Sequence, residues 1–104
     1  MIVFNEYQRW AVTKAIYPEE SKIIYPALGL ASEAGEVCDK IKKQIRDGTI
    51  DYNGIIKELG DVLWYVAVLA RDLGVDMDTV ILYNKTKLED RERRNKIGGS
   101  GDDR

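Results

Sequence analysis

Two stretches of this chain, roughly residues 24–46 and 52–73, carry apolar side chains at helical spacing over unusual lengths. Leu30, Ala34, Val37, Cys38, Ile41 and Ile45 recur in the first. Ile55, Ile56, Leu59, Val62, Leu63, Val66, Leu69, Ala70 and Leu73 recur in the second. Each pattern predicts a helix of roughly 20 residues, against a globular mean of about 11 to 12. A chain of 104 residues has room for little beyond these two and shorter helices packed on them. The expected fold class is therefore all-α, a four-helix chain.

Local signals set the remaining boundaries. A first helix is expected from Asn5 to Ile16, with Asn5 as N-cap and Tyr17-Pro18 as its stop. The second starts at Ser21 or Ile24. Proline is tolerated in a first turn, so Pro26 favours regular helix from near Tyr25. It ends at Arg46, where Gly48 can adopt the left-handed C-cap conformation. The third runs from Tyr52 to Leu73, between Asp51 as cap and Gly74 as stop. The fourth runs from Thr79 to Lys96, capped by Asp76 or Asp78. Residues 1–97 form one domain, and the Gly-rich tail 98–104 is expected to be disordered. Trp64 and Tyr65 lie in a run that is apolar on several faces, from Val62 to Ala70. Such a helix needs partners on several faces, more than one short chain offers. A bundle completed by homo-oligomerisation, as a homodimer or homotetramer, is the expected solution.

Charge and composition exclude several function classes. The chain has 16 basic and 18 acidic residues, a net charge of -2. A domain that binds long nucleic acid is more often clearly basic. The end of the fourth helix is locally basic, with Arg91, Arg93, Arg94 and Lys96, which suits phosphates rather than a polymer. Cys38 is the single cysteine, so no intramolecular disulfide forms. A reducing, cytoplasmic setting is expected, with Cys38 as a small buried hydrophobe. No apolar run reaches membrane-spanning length, and the start lacks a signal-peptide pattern. No membrane partner is expected. The absence of histidine removes the commonest zinc ligand.

Acids interrupt the two apolar helices in matching pairs. Glu33 and Glu36 stand three apart in the second helix, and Glu58 and Asp61 three apart in the third. Residues three apart share a helix face. If the helices pack antiparallel, four carboxylates converge. Burying like charges without compensation is costly. A hard divalent cation removes that cost, and magnesium prefers oxygen ligands and retains waters beside phosphates. One carboxylate, Glu36 or Glu58 before the others, can orient or deprotonate a water. Spacing alone does not separate ligand from base. The competing reading makes these acids solvated and paired with lysines, as Glu36–Lys40, Asp39–Lys43 and Glu33 near Lys40. Gly35 and Gly60 beside the acids permit close backbone approach or simple helix packing.

The stretches Leu28-Gly29-Leu30-Ala31-Ser32-Glu33-Ala34-Gly35-Glu36-Val37 and Glu58-Leu59-Gly60-Asp61-Val62-Leu63-Trp64-Tyr65 resemble the MazG-like all-alpha nucleoside triphosphate pyrophosphatases. That family shows E-x-x-E, a spacer, then E-x-x-D. It also shows an Asn, a Lys three later and an Arg four beyond, matched here by Asn84, Lys87 and Arg91. The resemblance spans about Asn5 to Arg91. It implies a MazG-like helical bundle that is homo-oligomeric. It implies magnesium (manganese as the alternative) on Glu33, Glu36, Glu58 and Asp61, which leaves Glu36 and Glu58 the catalytic candidates on their residue chemistry. It also implies that Asn84, Lys87 and Arg91 face the phosphates of a nucleoside triphosphate, cleaved to monophosphate and pyrophosphate. After Arg91 this chain reads Glu92-Arg93-Arg94, where relatives often carry an apolar or Pro-Gly ending, so the final turn is expected to differ.

Trp10 is a candidate platform for the nucleobase, since aromatic stacking tolerates many bases. Core or interface packing is the competing role for that ring, and the expected role of Trp64. Two other function classes stand beside the enzyme. One is a nucleotide-binding or regulatory module without catalysis. The other is a purely structural oligomerising bundle.

Overall fold

The computed structural model describes residues 1–104 as helices and turns, with no strand. The order is α1 (Phe4–Val12), a single 3-10 turn (Glu19–Ser21), α2 (Ile24–Asp47), α3 (Tyr52–Asp72) and α4 (Met77–Arg93). The caps explain most of these limits. Asp51 accepts the Gly54 N–H at 2.9 Å and starts α3. Asp76 accepts from the Thr79 N–H at 2.8 Å and from the Thr79 hydroxyl at 2.7 Å, and starts α4. Of the two expected α4 caps, Asp76 serves. Gly48 ends α2 at φ 79 and donates its N–H to Gln44 O at 2.7 Å. Gly74 at φ 81 ends α3, with Gly74 N–H on Arg71 O and Val75 N–H on Ala70 O, both at 2.9 Å. α4 stops earlier than expected, because Asn95 takes φ 57. Its N–H reaches Glu92 O, and that of Lys96 reaches Arg91 O, closing the same kind of turn.

α1 is shorter than the sequence pattern implies. After Val12 the N–H groups of Thr13, Lys14 and Ala15 bond three residues back. The Thr13 hydroxyl also occupies Trp10 O at 2.6 Å. Asn5 is not an N-cap. It lies inside the helix, and its amide reaches across the molecule. Nδ2 donates to Asp78 Oδ2 at 3.0 Å and to Asp76 Oδ2 at 3.3 Å, and Oδ1 accepts the Asp78 N–H. Gln8, one turn on, is buried. Its Nε2 donates to Ala67 O at 3.0 Å and Val75 O at 3.2 Å, and its Oε1 accepts the Met77 N–H at 3.2 Å. α1 is thus fastened to the turn between α3 and α4.

α2 begins without a side-chain cap. Ile23 takes φ 69 and ψ -54, and the Ile24 N–H closes on Lys22 O at 2.7 Å. That is a γ-turn rarely adopted by a residue with a side chain. Asp72, at the far end of α3, holds it. The fully buried Asp72 carboxylate accepts from Ile23 N–H at 3.0 Å, Tyr17 Oη at 2.7 Å and Arg71 Nε at 2.9 Å. Pro26 is buried in the first turn, where no intrahelical acceptor awaits an N–H.

α2 and α3 form an antiparallel hairpin across residues 48–51, the most extensive contact in the fold. Ile23 lies by Asp72 at one end, and Lys40 reaches Asp51 at 3.4 Å near the other. α1 crosses α3, and α4 touches α1 and α3. The core is small: Ala11, Ala67 and Met77, flanked by Tyr7, Trp64 and Val66. Leu28, Ile41 and Ile45 on α2, Ile56, Leu59 and Leu63 on α3, and Leu82 and Tyr83 on α4 stay exposed. Cys38, expected inside, is exposed as well, because the α2 face turned to α3 is the one carrying Glu33 and Leu30. The segment 98–104 is placed as turns rather than helix, folded back beside the end of α4. No helix is long and apolar enough to cross a membrane.

Candidate metal and phosphate site

The hairpin register brings Glu33 of α2 against Glu58 and Asp61 of α3. One carboxylate oxygen from each lies within 4.8 Å of the others. None of the three, nor Glu36, forms an ion pair with any lysine or arginine. The lysines of α2 are committed elsewhere, and Lys57 of α3 pairs with no acid. Asp39 takes Lys43 at 2.8 Å and Lys42 at 3.1 Å, and Lys40 takes Asp51. Of the alternative pairings that would have neutralised the acids, only Asp39–Lys43 forms, and it involves none of them.

This concentration of charge has a titration signature. Burial pushes the Glu33 carboxyl above the ordinary glutamate range. A hydrogen bond shared with Glu58 and the charges of Asp61, Glu58 and Glu36 push the same way. Glu33 therefore sits where a negative charge is disfavoured unless a cation joins it. The donor set is all carboxylate oxygen, which fits a hard divalent cation.

Glu36 stands outside the trio. It is exposed, one turn along α2, and its charge is felt at Glu33. A spacing of three on a helix leaves an offset of about 60°. On α3 the face toward α2 holds the half-buried Glu58, with Asp61 at its exposed rim. On α2 the contact face is centred on Glu33, so Glu36 turns outward. The four-way convergence becomes three plus one.

The glycines beside the acids do not serve helix packing. A Cβ built on Gly35 or Gly60 meets nothing within 4 Å, so both leave open space next to the carboxylates. The glycine that packing requires is Gly29, where a Cβ would fall inside the Tyr65 ring. Tyr65 stands edge-on to Trp64, with ring centroids 4.9 Å apart. Its hydroxyl is held above the ordinary tyrosine range by burial, by Tyr25 and by the charges of Glu33 and Asp61. Tyr7 of α1 is shifted upward by burial and by Asp61. Neither tyrosine stands out in the sequence, because each reads as one more apolar position on an amphipathic helix.

Trp10 is 54% exposed. Its ring lies 5.9 Å from that of Tyr7, and the Lys14 Nζ sits 5.6 Å from its centroid. With Ile2, Glu6 and Tyr7 it lines an open groove of about 460 Å³. Trp10 is thus on the surface, joined through Tyr7 to the side of the molecule that feels Asp61.

Asn84, Lys87 and Arg91 lie along α4. No hydrogen bond or ion pair joins them to the three carboxylates. Asn84 is exposed, and its amide bonds no protein group. Lys87 reaches Asp102 Oδ1 at 3.3 Å. Arg91 is only 5% exposed. Its Nη2 donates to Asp102 O at 2.6 Å and Gly101 O at 3.2 Å, and lies 3.7 Å from Asp102 Oδ1. Within one chain, the acidic trio and the α4 residues are therefore two separate clusters.

A helical hairpin that gathers uncompensated carboxylates across its two helices defines a class: an all-α protein with a centre suited to a divalent cation. The family model described as MazG nucleotide pyrophosphohydrolase domain matches residues 26–95, and the chain belongs to that family. The matched region holds all four acids and Asn84, Lys87 and Arg91, while Trp10 lies outside it. The chain is also 43% identical to the Gene 37 protein of Mycobacterium phage L5, over 94% of this chain and 96% of that protein. No solved structure matches the chain.

Proposed function

We propose that the protein is a magnesium-dependent nucleoside triphosphate pyrophosphohydrolase. Its substrate is a ribo- or deoxynucleoside triphosphate, and its products are the monophosphate and pyrophosphate. The observation that carries this reading is the group of three carboxylates, drawn from two helices and left without a cationic partner, in a chain of this family.

Glu33, Glu58 and Asp61 are the residues suited to hold the ion, with Glu36 adjacent. When bound, magnesium (or manganese) neutralises phosphate charge and makes a coordinated water more acidic. The chain's own residues do the remainder. Glu36, unpaired and outside the trio, orients the attacking water and takes its proton, with Glu58 as the other candidate. Lys87 and Arg91 bind phosphate oxygens, lysine as a point charge and arginine as a planar fork. Asn84 offers an uncommitted amide to phosphate or sugar, and Trp10 an exposed ring to the base. Pairing of copies as a homodimer or homotetramer covers the exposed apolar faces of α2, α3 and α4. It also brings Lys87 and Arg91 to the carboxylates from which they are separate within one chain.

Product analysis on a panel of standard and modified triphosphates, with and without magnesium, tests the reading. The expected result is monophosphate and pyrophosphate in equal amounts, lost with a chelator and in Glu36→Gln and Glu58→Gln. Tight nucleotide binding without turnover by the folded protein would instead mark a binding module. No magnesium-dependent nucleotide binding at all would leave a structural bundle.

A further inference from the structure

We propose that the segment 98–104 is an autoinhibitory strap that occupies the phosphate-binding residues of α4 and is displaced when a polyphosphate binds. The proposal rests on the assignment of Lys87 and Arg91 to phosphate under the proposed function.

Arg91 lies far along a helix whose neighbouring residues Glu89, Glu92 and Arg93 are all exposed, yet it is 5% exposed. The strap is what covers it. Two strap carbonyls, Gly101 O and Asp102 O, take the guanidinium donors. The Asp102 carboxylate lies between the two cations, 3.3 Å from Lys87 Nζ and 3.7 Å from Arg91 Nη2. Lys87 and Arg91, one helical turn apart, therefore already face a set of oxygens bearing negative charge. Lys87 and Arg91 hold the Asp102 carboxyl below the ordinary aspartate range, Lys87 foremost.

The strap is closed upon itself rather than anchored in the core. The Arg104 guanidinium donates to the carbonyls of Lys96, Ile97, Gly98 and Gly101, and Arg94 Nη2 donates to Arg104 O at 2.6 Å. Gly99 and Gly101 take φ 101 and φ 88, a region that glycine adopts without steric cost. Asp102 itself is 86% exposed, and exposed ion pairs hold weakly. A triphosphate carries more negative charge than one carboxylate and offers several oxygens to both cations. The geometry is that of a weak internal competitor, which lowers the apparent affinity for the ligand.

The test compares the full chain, a chain ending at Ile97 and the full-length Asp102→Asn variant. Inorganic tripolyphosphate is the probe, and its binding is measured by calorimetry without any need for turnover. The rate of Lys87 acylation by an amine reagent, read by mass spectrometry, reports how well the strap covers the site. Removing the strap is expected to tighten tripolyphosphate binding about three- to tenfold, the equivalent of one or two exposed ion pairs. Lys87 acylation rises with it, and Asp102→Asn falls between. With a turned-over nucleotide, KM falls by a similar factor at unchanged kcat. Equal binding by all three proteins, or binding by none, overturns the strap, as does faster Lys87 acylation without tighter binding. Absence of turnover in every form counts against the pyrophosphohydrolase reading, while the tripolyphosphate comparison still decides on the strap.

Discussion

Replacing Gln8 with alanine tests how α1 is held. The side chain satisfies two buried backbone groups, Ala67 C=O and Met77 N–H, and a third that is only partly buried, Val75 C=O. Ala67 is wholly buried and Met77 nearly so. Water therefore does not readily replace the amide at either, whereas it can at Val75. A buried donor or acceptor left unpaired costs about 1–3 kcal/mol. Two such groups place the loss for Gln8→Ala at about 2–4 kcal/mol once partial relaxation is allowed. Small domains are stable by about 5–15 kcal/mol, so the loss is a large fraction of the total. Urea unfolding, followed by circular dichroism at one fixed protein concentration, reads it as a lower midpoint at unchanged slope. Gln8→Glu sharpens the test. It keeps an acceptor for Met77 N–H but turns a carboxylate toward two carbonyls, so it is expected to be worse than alanine at neutral pH and to recover on acidification. A loss below about 1 kcal/mol for Gln8→Ala would refute the reasoning, since a pair of buried orphans cannot be that cheap. α1 would then be held by the packing of Tyr7 and Ala11 and by the bonds of Asn5 to Asp76 and Asp78.

Three further outcomes follow from the same structure. Burial opposes ionisation of Asp72, but the N–H of Ile23, the Tyr17 hydroxyl and Arg71 outweigh it and depress its pKa. The native state gains from that depression above the unfolded value and loses it below about pH 4. The stability deficit of Asp72→Asn, measured by urea midpoints across pH, should shrink as pH falls through the depressed native pKa. Gly29→Ala drives a methyl into the Tyr65 ring, an overpacking worth about 1–3 kcal/mol. In a double-mutant cycle with Tyr65→Ala, the two losses should be less than additive. Glu33→Gln removes the charge most crowded by like charges, so in chelator its thermal midpoint is expected above that of the parent. The magnesium-induced rise in midpoint is expected to disappear in the same variant.

The parts of the fold legible in the sequence are those decided within a few residues. Asp51, Gly48 and Gly74 cap or stop helices through bonds to their immediate neighbours, and the helix limits there agree to within a residue. What the sequence concealed depends on residues far along the chain. Asn5 looks like a cap because its partners, Asp76 and Asp78, come near only after folding. Gln8 reads as a polar residue on an amphipathic helix, and its burial follows from the α3–α4 turn closing over it. The acids divide the same way. Their pairing within each helix is visible from spacing, but which of Glu33 and Glu36 faces α3 depends on how α2 is rotated. Lys40 illustrates the point: it has Glu36 within helical reach and takes Asp51 across the link instead.

The hairpin that carries the acids behaves as a beam held at both ends. Near the link, Lys40 grips Asp51. At the opposite end, Asp72 grips the backbone of Ile23 and the hydroxyl of Tyr17. Helix ends fray within about a turn, and Glu33, Glu58 and Asp61 lie farther in than that on both helices. The carboxylates are therefore shielded from motion that begins at either end. Amide exchange near Glu33 and Asp61 should outlast exchange near Ile24 and Asp47. An ion arriving there meets ligands already in register, and binding needs little reordering of the chain.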